Sequence, residues 1–397
     1  MKRIILFWSL FLAASSLTIQ AQTAATDSLP WAQSVAQGID ELLRHDMFQT
    51  SQVGLMVLDL EADSVVYQHN ARQTLRPASC MKIITAVAAL DQLGGSYRFK
   101  TALCYTGTIE GRTLSGDVYC VGGMDPKFNA DDMKAFVESL RKLGVDTLRG
   151  RLLADKSMKD PDLLGAGWCW DDDNPVLSAL PYGRNDAFMP RFLRELRADG
   201  IVVESTMGEG RKPSGATCIV ERFHTIDQIL MRMMKESDNL YAESMFYQLA
   251  ATTGARPAKA RHARAAIEKL IQKTGLNPAK YEIADGCGLS LYNYVSAELL
   301  ARLLRYAWQN DNIATHLLPS LPRAGVDGTL KSRLKGAKTK DNVKAKTGTV
   351  EGISSLAGYC RAPNGHPLAF AIINQGILHT SSGKWFQDKV CEILCNP

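Results

Sequence analysis

Two side chains three residues apart carry the first hint of chemistry, Ser79 and Lys82. They lie in Pro77-Ala78-Ser79-Cys80-Met81-Lys82, ahead of a run whose apolar residues Ile83, Ile84, Val87, Leu90 and Leu93 recur at helical spacing. Gly94-Gly95 supplies a stop signal, and Pro77 suits the first turn, where a missing N–H costs nothing. Ser79 therefore sits where backbone N–H groups are unpaired and the helix dipole favours negative charge. Lys82 shares its face. An amine beside a hydroxyl at a site that favours an oxyanion suits a serine nucleophile whose base is lysine. The S-x-x-K spacing alone is weak, because it recurs at Ser332…Lys335 and Ser381…Lys384.

Two further motifs strengthen it. Ser237-Asp238-Asn239 is the only S-x-N triplet in the chain and falls at the junction of two predicted helices, where Ser and Asn are expected as exposed caps. Lys346-Thr347-Gly348-Thr349 falls on a predicted strand. A strand suits this role, since a peptide substrate can pair along its edge and Gly348 permits close approach. Lys273-Thr274-Gly275 has the same letters but ends a helix, with Gly275 as the stop. S-x-x-K, S-D-N and K-T-G in this order are the signature set of serine β-lactamases and penicillin-binding proteins. The chain has no G-x-S-x-G elbow, H-E-x-x-H pair, phosphate-binding loop or dinucleotide fingerprint, and its seven histidines do not cluster.

The chain of 397 residues is long for one domain. Its apolar share of 46 % is ordinary, so full cores can form. Lys2-Arg3, the apolar stretch Ile4 to Leu17 and Ile19-Gln20-Ala21 read as a secretory signal peptide cleaved after Ala21. The alternative, a membrane anchor, needs about 20 apolar residues. No cysteine closely follows the stretch, which argues against a lipoprotein anchor. With residues 1–21 removed, 44 basic minus 41 acidic residues leave +3, too mild to argue for nucleic acid and compatible with a weak attraction to an anionic wall or membrane surface. The expected location is exported and periplasmic. Nine cysteines, an odd and widely spaced set, do not read as a disulfide framework or a zinc site and are expected mostly as small buried apolar residues.

Period-2 alternation predicts a strand over 52–60 buried on both faces, with Val53, Leu55 and Val57 alternating with Met56, Leu58 and Leu60, and a return strand at Val65 to Tyr67. From about residue 98 to 225 short β-like runs dominate, at Phe99 to Tyr105, Val118 to Val121, Leu148 to Ala154 and Ile201 to Val203, with one helix from Asp131 to Leu143 and a tryptophan-rich loop, Gly167 to Asp172. Helices follow at Ile226 to Met234, Asn239 to Ala251, about Pro257 to Lys273, Ser296 to Gln309 and Asn312 to Leu318. Strands come last, at Val343 to Val350, Ser354 to Cys360 and Leu368 to Ile373, before a closing amphipathic helix. Strands from both ends around a helical middle imply an α+β domain, 22–97 plus 226–397, interrupted by a mostly β insert at 98–225.

Further strings carry a family resemblance: Gly122-Gly123-Met124-Asp125-Pro126, the Trp168/Trp170 loop, Lys235 to Glu243, Asp285-Gly286-Cys287-Gly288-Leu289-Ser290, Ala324 to Leu330, and Lys344 to Thr349. With Ser79 and Lys82 these resemble the D-alanyl-D-alanine carboxypeptidases/endopeptidases of the type-4 penicillin-binding-protein group. The resemblance spans most of the mature chain. The departures are Cys80, Cys287 and Leu291 at places where that group usually has other residues, and a shorter insert. The resemblance implies a serine β-lactamase/transpeptidase-like fold with an antiparallel sheet flanked by helices. It implies that Ser79 attacks the penultimate D-alanine carbonyl of a peptidoglycan stem peptide, Lys82 takes its proton, Ser237 protonates the departing amine and Asn239 holds Lys82 and the substrate amide. Lys346, Thr347 and Thr349 would bind the terminal carboxylate, and the N–H groups of Ser79 and Thr349 the oxyanion. It implies no metal or organic cofactor, and β-lactams as inhibitors. A β-lactamase and a silent wall- or drug-binding protein are the rival readings.

Overall fold

The computed structural model describes residues 28–171 and 173–396. The expected signal segment lies outside them.

The first sheet is antiparallel. Its strands are β1 (Gln52–Asp59), β2 (Ser64–His69), β10 (Lys344–Val350), β11 (Ile353–Arg361) and β12 (Pro367–Gln375), in the order β10-β11-β12-β1-β2. Period-2 side-chain direction sorts each central strand into two cores. From β1, Val53, Leu55 and Val57 enter one core with Leu368, Phe370 and Ile372 of β12. Met56 and Leu58 enter the other with Ala369, Ala371 and Ile373. The first core is closed by α1 (Ser28–Leu42) through Val35 and Ile39 and by α10 (Thr380–Cys395) through Phe386, Val390 and Leu394. The second is filled by α2 (Met81–Leu93), whose residues 81 to 90 are all buried and which Gly94 ends at φ +78°. Strand β10 is an outer strand of this sheet.

Every strand of the second sheet lies between Arg98 and Thr225: β3 (Arg98–Tyr105), β4 (Thr108–Glu110), β5 (Thr113–Ser115), β6 (Val118–Gly122), β7 (Thr147–Asp155), β8 (Val202–Glu209) and β9 (Thr217–Thr225). β5 and β6 both run parallel to β7, and β8 runs parallel to it as well. Parallel neighbours need a crossover. Helix α3 (Ala130–Lys142) joins β6 to β7, and α4 (Phe188–Ala198) lies between β7 and β8. Helix α4 was not foreseen in the sequence. It is required once β7 and β8 pair, and its Phe188 and Phe192 pack edge-to-face on Phe136 of α3. β4, β5 and β9 were also missed, and α1 at the chain start. The cysteine expectation needs one correction: Cys104 and Cys218 face each other on β3 and β9 and form a disulfide. Six of the other seven are buried, as expected, and Cys169 is exposed.

Four helices complete the helical middle: α5 (Ile226–Lys235), α6 (Asn239–Ala251), α7 (Ala260–Lys273) and α8 (Ala297–Trp308), followed by the short α9 (Asp311–Ser320). Among the described residues no helix is long and apolar enough to cross a membrane.

Candidate active site

Ser79 lies in a single 3-10 turn, Ala78–Cys80, that leads into α2, with Pro77 at its cap rather than in an α-turn. Ala78 has φ +45°, a left-handed conformation costing on the order of 1–3 kcal/mol for a non-glycine residue. Two glycines press on this turn from either side. A Cβ on Gly348 would meet the Pro77 carbonyl at 2.6 Å and the Cys80 nitrogen at 3.0 Å, and one on Gly288 the Ala78 carbonyl at 1.8 Å. Only bare backbone lets β10 and the 285–290 loop approach so closely. Ser355 on β11 also donates to the Pro77 carbonyl. The Ser79 segment is thus over-determined by its neighbours, which is the condition for such strain to persist.

Lys82 is fully buried and has three partners: Ser79 Oγ at 2.9 Å, Asn239 Oδ1 at 2.8 Å and the Cys287 carbonyl at 2.8 Å. The last two can only accept. A neutral amine that donates to both is left with its lone pair directed at the Ser79 hydroxyl, the geometry of a general base. Burial pushes the Lys82 ammonium below the usual lysine range, against the pull of Asp285, Glu243 and Asp238.

The S-D-N triplet works differently from the cap expected of it. Asp238 is the cap of α6, accepting from the Leu240 N–H at 3.0 Å. Ser237 takes a left-handed φ of +59°, and Asn239 is the first helical residue. Both side chains are thereby released from capping. Ser237 Oγ accepts from Lys346 Nζ at 2.9 Å, and Lys346 also donates to the Thr347 carbonyl at 2.6 Å. Lys346 is fully buried, and burial, with the nearby Lys82 charge, lowers its pKa to about 7. Thr347 Oγ1 lies 2.8 Å from Thr329 Oγ1, and Thr349 follows on the same outer strand. Ser79, Lys82, Ser237, Asn239, Lys346, Thr347, Gly348 and Thr349 are therefore brought to one place by α2, the α5–α6 junction and β10.

Sequence reading gave no role to the layer beneath. Glu243, one helical turn after Asn239, accepts from the Gly286 N–H at 2.8 Å. Burial pushes its carboxyl up to about 8. Asp285 accepts from the N–H groups of Gly288 and Ser290, each at 2.7 Å, from Asn293 Nδ2 at 2.8 Å and from the Trp168 indole at 2.9 Å. Glu243, Asp285 and Cys287 bring possible ligand atoms within 4.8 Å of one another. The loop's own donors already occupy both Asp285 oxygens, however, so these residues brace a loop. The signal for them was in the quoted strings, but their convergence is tertiary.

Two relatives span most of this chain. It is 25 % identical to the D-alanyl-D-alanine carboxypeptidase DacB of Haemophilus influenzae, over 81 % of this chain and 84 % of that one. It is 28 % identical to the D-alanyl-D-alanine carboxypeptidase of Actinomadura sp. strain R39, over 86 % and 80 %. The crystal structure of penicillin-binding protein 4 (dacB) from Haemophilus influenzae superposes with a TM-score of 0.81 at 24 % identity, covering 89 % of this chain and 97 % of that one, and shows the shared fold. The family of D-Ala-D-Ala carboxypeptidase 3 (S13) matches residues 35–185 and 183–396. The chain belongs to that family and is a serine-type D-Ala-D-Ala carboxypeptidase.

Proposed function

We propose that the enzyme removes the terminal D-alanine from peptidoglycan stem peptides through an acyl-enzyme on Ser79. The observation that carries this reading is Lys82 Nζ, 2.9 Å from Ser79 Oγ and otherwise engaged only with acceptors. Neutral Lys82 takes the Ser79 proton as the hydroxyl oxygen attacks the penultimate D-alanine carbonyl. The backbone N–H groups of Ser79 and Thr349 receive the oxyanion, the largest single contribution in such chemistry. Ser237, whose oxygen accepts from Lys346, relays a proton to the departing D-alanine amine: its own hydrogen goes to the nitrogen and is made good by the proton that Lys82 took from Ser79, which leaves Lys82 neutral again. The terminal carboxylate sits against Lys346, Thr347 and Thr349, with Gly348 leaving room for the peptide along β10. Asn239 holds Lys82 and the substrate amide. Water then hydrolyses the acyl-enzyme.

A β-lactam, which presents an amide and a carboxylate in a like arrangement, the amide strained by its ring, acylates Ser79 and inhibits. Residues 98–225, which hold the whole second sheet, are taken as an inserted domain. The substrate places the enzyme outside the cytoplasm, in the periplasm. Release of D-alanine from a D-Ala-D-Ala-terminated peptide, with mass mapping of penicillin adducts, tests the reading. Wild type should release D-alanine and carry one adduct on Ser79, and Ser79→Ala and Lys82→Ala should do neither. Full activity in Lys82→Ala would sink the mechanism.

A further inference from the structure

We infer that Trp168 is a positioning residue of the catalytic centre: its indole N–H fixes Asp285 and, through the 285–290 loop, the Cys287 carbonyl that holds Lys82.

The geometry is continuous from the insert to the base. Trp168 lies between β7 and α4, yet is only 8 % exposed because it packs into the core of the catalytic body. Its Nε1 donates to Asp285 Oδ2 at 2.9 Å. Asp285 is 1 % exposed and forms no ion pair among the described residues. Its charge is held by N–H donors, and bonds to a charged acceptor are the strong ones. Those from Gly288, Ser290 and Asn293 belong to the same loop. Trp168 is the donor that comes from elsewhere.

The loop so held is the floor beneath Lys82. Thr85 on α2 donates to the Gly286 carbonyl at 2.7 Å, Glu243 accepts from the Gly286 N–H at 2.8 Å, and the Cys287 carbonyl accepts from Lys82 at 2.8 Å. The tryptophan loop is flush against it on a second line. A Cβ on Gly167 would meet the Tyr292 ring at 2.5 Å and Ser290 Oγ at 2.8 Å. Nothing in that seating involves the nucleophile directly, so Trp168 acts through Asp285 and not on substrate. Trp170, two residues on, is 84 % exposed and shares none of this.

If the indole N–H is lost, the loop loosens, the Cys287 carbonyl is less well placed and water gains access to Lys82. The groups that bear on Lys82 are Asp285, Glu243, Asp238 and Cys287, together with Lys346 from β10. None of these residues is itself replaced in the variant. Its burial is reduced, so its ammonium form is favoured and less neutral base is present at a given pH.

The inference rests on Lys82 as the base. The test is Trp168→Phe in the full-length enzyme, with kcat and KM on a D-Ala-D-Ala peptide and the pH profile of penicillin acylation. Expected is a fall in kcat of about tenfold or more, with KM within about twofold and the acid limb of acylation displaced to higher pH. Rates are taken per site titratable by penicillin, so a partly misfolded preparation cannot mimic the effect. Gly167→Ala lifts the same loop without cutting into the core and should move kcat and the acid limb in the same direction, while Trp170→Phe should acylate at the wild-type rate. Wild-type kcat and an unmoved acid limb in both Trp168→Phe and Gly167→Ala overturn the inference. If Lys82→Ala is inactive in the same assays, that result falls on Trp168 alone; if Lys82→Ala is active, the reading of the base has failed.

Discussion

Lys346 donates to Ser237 Oγ across 2.9 Å, joining the K-T-G strand to the S-D-N turn. The two residues are 109 apart in sequence, and neither position suggests the other. The bond orients the Ser237 hydroxyl so that its hydrogen is free for a leaving amine. It also leaves a fully buried ammonium whose pKa has dropped to about 7, chiefly through burial.

A pH dependence follows. In the proposed mechanism a carboxylate-bearing substrate needs Lys346 charged, and the free enzyme loses that charge as pH rises through about 7. kcat/KM, which reports free-enzyme groups, should therefore fall on the alkaline side. Lys346→Met should raise KM for such a peptide by about tenfold to a hundredfold, the equivalent of one hydrogen bond to a charged group. It should also flatten the alkaline limb. Steady-state kinetics from pH 5 to 10 checks both, and an alkaline limb unchanged in Lys346→Met would assign it elsewhere.

Cys80 adjoins Ser79, the proposed nucleophile, but its side chain is buried against β10. It is fully buried, its Sγ donates to the Lys346 carbonyl at 3.2 Å, and burial raises its thiol pKa. Cys80→Ser should keep penicillin acylation within about threefold of wild type, since a hydroxyl can make the same bond. Loss of labelling in Cys80→Ser combined with retention in Ser79→Ala would reverse the two assignments.

Glu243 predicts a slope in stability. Its folded pKa is raised to about 8 from 4.5, so between these values the folded state holds a proton that the unfolded state has released. Stability from this group is complete below about pH 4.5 and is lost as pH rises through about 8. Glu243→Gln retains the acceptor for the Gly286 N–H and removes the titration. The difference in melting temperature between variant and wild type should therefore shift in the variant's favour from pH 5 to pH 9. A pH-independent difference would mean that the carboxyl is not held neutral.

Much of this architecture is legible in local pattern. The alternation in β1 is sorted residue by residue into the two cores, and α2 begins and stops where its apolar spacing and Gly94 say. The three short motifs point to the side chains proposed to react because each must expose one group at one backbone feature. What was not legible depends on distant partners. Helix α4 becomes necessary only when β7 and β8 pair in parallel. The Cys104–Cys218 bridge needs the β3–β9 register. Asp285 reads as a loop aspartate until Trp168, 117 residues earlier, donates to it. Asp238 takes the cap that Ser237 and Asn239 were expected to share, because it directly precedes the helix and accepts from the Leu240 N–H at 3.0 Å.

The fate of the penicilloyl enzyme separates a carboxypeptidase from a β-lactamase. Deacylation needs a base for the incoming water, and one large class of β-lactamases uses a glutamate acting through a water. Here the bonded partners of Ser79 and Lys82 among the described residues are Asn239 and the Cys287 carbonyl, with no carboxylate. Glu243 lies beneath the loop with its carboxyl turned to Gly286 and fully buried, so it cannot serve water at the acyl carbonyl. With a D-Ala-D-Ala peptide the leaving D-alanine diffuses away and vacates the space over the acyl group, where water can enter and Lys82 can again accept a proton. Penicillin's ring fragment stays tethered after the amide opens and continues to fill that space. The adduct should therefore form rapidly on Ser79 and persist for many peptide turnovers. Intact-protein mass spectrometry over time, run beside D-alanine release, reads both. Many penicillin turnovers with no lasting adduct would show that water reaches the acyl group by a route this geometry closes. A lasting adduct on another residue would displace Ser79 as the nucleophile.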